Sequence, residues 1–181
     1  MEKSGLGGHP GKISKTSAFV LKYLFKKLNE NAKDLINYNI TMEATHHGPN
    51  IDIPCCFIEV GSSENEWNDR EATSAVAKTI LSLQKYEDDI EWIPSFAIGG
   101  PHYCPNFNKI QLESKYAISH VIQEYAFPVT ELMLREAEEK TIEQIKEVII
   151  DWKGCGKSEE RSKIIELIKK SGLHHKRTSD I

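Results

Sequence analysis

The sharpest chemistry in this sequence is the adjacent pair His46 and His47, set in EATHHGP at residues 43–49. On a strand such neighbours point to opposite faces, but in a loop bounded by glycine and proline both imidazoles can turn toward one metal ion or one substrate. A surface pair without a role fits the same spacing. In GGPHYCP at 99–105, Gly99 and Gly100 let backbone N–H groups approach an anion or oxyanion while His102 and Tyr103 line the pocket; a plain turn is the alternative. Gly61, Ser62 and Ser63 stand ahead of a helix start and resemble an anion cradle of hydroxyls and helix-end N–H groups. His120, in ISHVIQ, reads as a general base or as a core histidine. Glu59 and Asp151 sit at strand ends among apolar neighbours, where a carboxylate needs a cation, a metal or several N–H donors. The sequence contains no GxxxxGK[ST], GxSxG, HExxH or GxGxxG.

The elements that must position these residues follow from periodicity. Residues 14–30 place Phe19, Val20, Tyr23, Leu24 and Leu28 on one stripe, a helix with Ser14 or Thr16 as its cap. Residues 36–45 alternate as a half-buried strand, and the apolar run 53–60 fits a strand buried on both faces. Asn68 and Glu71 predict a capping box before a helix with Ala72, Ala75, Val76, Ile80 and Leu83 inward. A third strand spans 92–98, a long loop follows, a helix covers 131–140, a fourth strand 148–151 and a last helix 158–170. His174 and His175 fall in a basic tail, solvated or phosphate-facing. Alternating α and β elements predict an α/β layer fold, and in such sheets ligands bind beyond the carboxyl ends of the strands. That rule gathers the histidines, Glu59, the serines and Lys153 at one edge.

Composition bounds the protein. The 181 residues are 39% hydrophobic and 28% charged, with a net charge of −4, which suits one globular domain at 1–173 followed by a flexible basic tail at 174–181. Four cysteines without CxxC spacing, no targeting signal and no apolar run of ~18 residues predict a reduced, cytoplasmic protein away from membranes, and a monomer is the expected state. The charge is segregated: residues 1–40 hold seven Lys against three acids, 152–181 hold eight Lys or Arg against four, and the middle holds eight basic against twenty acidic residues. The ends can grip a polyanion while the acidic middle holds a cation, although solvated helix faces give the same tally.

Five ordered stretches, EATHHGP at 43–49, IEVGSSENEW at 58–67, GGPHYCP at 99–105, SHVIQEYA at 119–126 and IDWKG at 150–154, make the sequence resemble the archaeal and plant-type D-aminoacyl-tRNA deacylases. The resemblance implies hydrolysis of the ester joining a D-amino acid to the 3′ end of tRNA, dependence on one or two zinc ions, and a mixed β-sheet flanked by helices, similar to phosphorylases and peptidyl-tRNA hydrolase. Family members carry a further N-terminal stretch, so the chain resembles the later part of a longer protein; Pro101 is a smaller departure. On this reading zinc is held by His46, His47 and either His102 or Glu59, with His120 or Glu59 moving protons. A metal-free route has a histidine orient water and the Gly99 and Gly100 N–H groups receive the oxyanion. Ser62, Ser63, Tyr103 and Lys153 would bind substrate. Lys153, Lys157, Lys163, Lys169, Lys170, Lys176 and Arg177 would hold the tRNA phosphates. The alternatives are a catalytically impaired tRNA-binding fragment and a metal-dependent esterase or amidase acting on small substrates.

Overall fold

The computed structural model describes residues 7–9, 11–46, 48–88 and 91–181, so the expectations placed on His47 lie outside the described residues. Four strands, β1 (Ile93–Ile98), β2 (Tyr116–Ile122), β3 (Glu147–Ile150) and β4 (His174–Arg177), form a sheet in the order β2-β1-β3-β4. Every pairing is parallel. The sheet is therefore parallel where a mixed one was expected, because α4 (Pro105–Glu113), α5 (Glu131–Glu139) and α6 (Ser158–Lys170) carry the chain back between successive strands. Three more helices precede the sheet: α1 (Ala18–Asn31), α2 (Glu64–Trp67) and α3 (Arg70–Leu81).

Both faces of the sheet are covered, which is why the central strands are almost continuously apolar. Phe96, Ile98, Val148 and Ile150 pack against Leu134 and Ala137 of α5 and Ile164 and Ile168 of α6. Ala97 and Ile149 face the other way, onto Phe107 and Ile110 of α4. Strand β2 breaks this alternation: Ser95 pairs with Ile118 but Ala97 with Val121, so Ser119 and His120 together stand opposite Phe96. This bulge puts Ile118 and Val121 on the same face and frees His120 from the ladder's alternation.

Several expectations change. The α1 cap is Ser17, whose hydroxyl accepts from the Val20 N–H, and not Ser14 or Thr16. Asp69, rather than Asn68, caps α3 by accepting from the Glu71 and Ala72 N–H groups, while Ile80 and Leu83 of the expected inward stripe are exposed. The long loop after β1 contains α4, which opens on Pro105 at a position where a missing N–H costs nothing. Residues 174–177 are not a tail: they pair with β3 as the sheet's charged edge strand. Residues 36–45 and 53–60 form no strand. The first stretch is bonded to side chains and to single carbonyls, that of His102 in a loop and that of Val121 in β2, instead of to a continuous ladder. The second joins no ladder and leaves Ile53 72% and Phe57 55% exposed. Among the described residues no helix is long and apolar enough to cross a membrane.

Candidate functional site

Residues 41–46 reach the carboxyl edge of the sheet through a set of long-range bonds. Asn108 on α4 accepts from the Met42 N–H at 2.8 Å and donates to Thr41 Oγ1 at 2.7 Å. The Ala44 N–H donates to the His102 carbonyl at 2.8 Å, and the Thr45 N–H to the Val121 carbonyl at 3.1 Å. This stretch is thereby sewn both to the loop that leaves β1 and to β2.

The result is a cluster of Glu43, His46 and His102, whose potential ligand atoms all lie within 4.8 Å of one another. His46 Nε2 is 3.8 Å and His102 Nε2 3.7 Å from the same Glu43 carboxylate oxygen, and the two rings meet edge to face at 4.5 Å. His46 Nδ1 lies 2.5 Å from the Ala44 carbonyl; a carbonyl only accepts, so Nδ1 carries a hydrogen, which leaves Nε2 as the nitrogen with a lone pair to offer a metal. His102 Nδ1 is 3.0 Å from the Tyr125 hydroxyl, whose pKa is raised chiefly by burial, so that oxygen stays protonated at neutral pH. Each imidazole thus has its outer nitrogen engaged and its Nε2 aimed inward. With the His102 hydrogen on Nδ1, both rings would offer Nε2 to a metal ion, and Glu43 would supply a carboxylate oxygen beside them. The donor set fits zinc.

Behind the cluster, His120 makes a directional chain of hydrogen bonds. The Val121 N–H donates to Thr45 Oγ1 at 3.1 Å, leaving the Thr45 hydroxyl hydrogen for His120 Nδ1 at 3.3 Å. On the far side His120 Nε2 is 3.3 Å from the Lys140 carbonyl and must donate to it. Both ring nitrogens are committed. Burial pushes the ring's pKa down to about 4, opposed by the Lys140 carbonyl, so it is neutral at physiological pH. Of the two sequence readings, the geometry matches the core histidine, one that holds Thr45 and with it the loop bearing Glu43 and His46.

The remaining expectations divide. Gly99 donates its N–H to the Ile122 carbonyl at 2.8 Å and Gly100 to the Gly154 carbonyl at 3.3 Å. Neither N–H faces an oxyanion. Both residues have positive φ, and a side chain on Gly99 would come within 2.7 Å of the Cys155 sulfur, so these glycines serve the close approach of two loops. Asp151, buried at the end of β3, accepts from the Asn106 side chain at 2.8 Å in the first turn of α4, the N–H donor its position called for. Tyr103 is exposed with its ring 4.8 Å from that of His102. Lys153 is exposed at the end of β3.

Among the described residues Glu59 is not brought to His46 or His102; it is exposed beside Ile58, Val60, Trp67 and Val76 in a shallow groove. Ser63 caps the four-residue α2, its hydroxyl and N–H both bonded to the Glu66 carboxylate at 2.6 and 2.9 Å. With an acidic group already on these donors, Ser62 and Ser63 form no anion cradle. The Cys104 and Cys155 thiols are pushed up to about 12, mainly by burial, and are not thiolate nucleophiles. Among the residues sequence reasoning passed over, Glu43 sits three positions before His46. Tyr125 would have been found by the strand-end rule had β2 been read as a strand.

Fold and site together define an α/β protein that presents histidines and a carboxylate at the carboxyl edge of a parallel sheet. The chain belongs to the D-aminoacyl-tRNA deacylase family, whose profile matches residues 1–176. It is 34% identical to a D-aminoacyl-tRNA deacylase of Thermococcus kodakarensis over 92% of this chain and 61% of that protein. It is likewise 34% identical to one of Pyrococcus furiosus over 94% and 62%. A crystal structure of a conserved protein of unknown function, AF0625, superposes with a TM-score of 0.89 at 30% identity, covering 100% of this chain and 64% of that one. The chain thus spans about six-tenths of the length of the relatives it matches.

Proposed function

We propose that the chain hydrolyses the ester between a D-amino acid and the 3′ end of tRNA in the cytoplasm, as a monomer, with Glu43, His46 and His102 holding zinc. The observation that carries this reading is the convergence of those three side chains in a member of this family. Zinc bound there would supply Lewis-acid polarisation of the ester carbonyl and a more acidic water. The chain's own groups have separate tasks. Ala44 and Tyr125 fix the two imidazoles, His120 and Thr45 fix the loop, and the Tyr103 ring lies against that of His102. The Tyr125 hydroxyl, held against His102, can donate a hydrogen to a leaving ribose oxygen. The tRNA is held by cations at the basic ends, of which Lys170 and Lys176 are already paired with Glu131 and Glu147, leaving Lys153, Lys157, Lys163, Lys169 and Arg177 for phosphates.

The test is release of D-tyrosine and L-tyrosine from their tRNA esters by the purified chain, with zinc and with a chelator. D-selective release abolished by chelation is expected. Release that ignores the chelator would remove zinc from the reading, and no release by the folded chain would remove the deacylase reading itself.

A further inference from the structure

A second feature of the sheet's carboxyl edge lies at the other pair of strand ends. Trp152 follows β3, and two guanidinium groups stand over its indole: Arg177, the last residue of β4, with Cζ 3.9 Å from the ring centroid, and Arg161 of α6 at 5.2 Å. Neither makes an ion pair among the described residues, and Arg161 Nε is buried without a hydrogen-bond partner. Lys153 and Lys157, on the loop between β3 and α6, are exposed and also make no ion pair among the described residues. Elsewhere on the same stretch of chain the fold does neutralise its cations, pairing Lys170 with Glu131 and Lys176 with Glu147. The charge left over is gathered around the indole.

Stacking matters to what these arginines can bind. An arginine lying on an aromatic ring keeps its N–H edge free for a planar or tetrahedral oxyanion, and has already lost much of the side-chain freedom that binding would cost. Position matters as well. Strands β1, β3 and β4 are consecutive neighbours, so the ends of β1 and β4 are about 10 Å apart along this edge. The loop bearing His102 is tied to the loop bearing Trp152 by the Gly100 N–H bond to the Gly154 carbonyl.

We infer that Arg161, Trp152 and Arg177 form a platform that grips the phosphodiester backbone of an RNA strand whose end enters the Glu43–His46–His102 site. This rests on the deacylase reading for the identity of the strand, but not for the binding. Two guanidinium groups engage phosphates through bidentate hydrogen bonds, and Lys153 and Lys157 add less directional attraction. A purely structural stack, one that only pins β4 to α6, would leave RNA affinity untouched.

The experiment measures binding of uncharged tRNA by fluorescence anisotropy over a range of salt, for the wild-type chain and for Arg161→Gln, Arg177→Gln and the double variant. The double variant should bind about ten-fold more weakly, and its slope of log affinity against log salt should fall by about 1.5 to 2, one released counterion for each lost contact. Zinc binding should be unchanged in every variant. Arg161→Lys with Arg177→Lys serves as a folded control and should keep the slope while losing part of the affinity. An unchanged slope and affinity in the glutamine variants would overturn the platform. Release of D-tyrosine from tRNA, assayed on the same proteins, separates the two readings. Wild-type release with variants of unaltered KM removes the platform and leaves the deacylase, whereas weakened variant binding without release by any protein keeps the platform and removes the deacylase.

Discussion

Around Glu43, His46 and His102 most polar groups are bonded across long stretches of sequence, the His46 bond to the Ala44 carbonyl being the local one, whereas in residues 59–68 they bond to their own neighbours. Thr45 meets His120 and Val121, His102 meets Tyr125, and Met42 meets Asn108. In the second region Ser63 meets Glu66 and Asn68 meets Glu64. The difference is one of preorganisation. Bonds between distant elements fix a side chain against the sheet, at the precision that binding or catalysis requires, while a local cap fixes only the turn that contains it.

This comparison can be broken in several ways. The largest contrast should come from His46→Ala and His102→Ala, each expected to remove bound zinc and to lower D-tyrosine release by more than the ~10–100-fold typical of outer partners. Ser62→Ala and Ser63→Ala should stay within about two-fold; metal analysis and single-turnover kinetics would show either result.

Next in size is acid sensitivity. His120 in the folded chain has its pKa lowered to about 4 from an ordinary 6.5, so between those values the unfolded chain binds the extra proton. Stability should therefore be complete above pH 6.5 and fall as pH drops toward 4, by about 3 kcal/mol from this residue. Urea titrations across that range, compared with His120→Gln, would reveal it; a His120→Gln chain with the same slope would contradict the assignment.

Thr45→Val should cost about 1–3 kcal/mol, because it leaves His120 Nδ1 and the Val121 N–H without partners in a buried place. Its release rate should fall as well, since the loop bearing Glu43 loosens. Serine at 45 should restore both, which valine's similar shape cannot. At the small end, Phe57→Ser should change stability by no more than about 0.5 kcal/mol, as the ring is more than half exposed. A larger loss would mean that the 51–60 stretch is packed in solution.

Much of the scaffold was legible because its signals are local. Helix α6, over 158–170, carries an acidic first turn and lysines in its last, and β1 and β3 are short apolar runs between turn signals. Strands β2 and β4 and helix α4 escaped for distinct reasons. Strand β2 contains His120 at a bulge, so its apolar run reads as a motif and not as a strand. Strand β4 is HHKR, charged as an unprotected edge must be, and looks like a tail. Helix α4 hides behind Cys104, which adopts a left-handed φ of 49° just before Pro105. The run at 53–60 misled in the opposite direction, because apolar content says nothing of whether a neighbour exists to cover it. At the site, His46 and His102 were visible as types, but the choice of Glu43 over Glu59 depends on bonds made by Asn108, His102 and Val121 from elsewhere in the chain.

The most direct test sets those two carboxylates against each other: the rate of D-tyrosine release from its tRNA ester by Glu43→Ala and Glu59→Ala, with zinc content measured on the same samples. Loss of both zinc and release in the Glu43 variant, with both retained in the Glu59 variant, is the predicted result. Retention of both in the Glu43 variant, or their loss on changing Glu59, would contradict the site described.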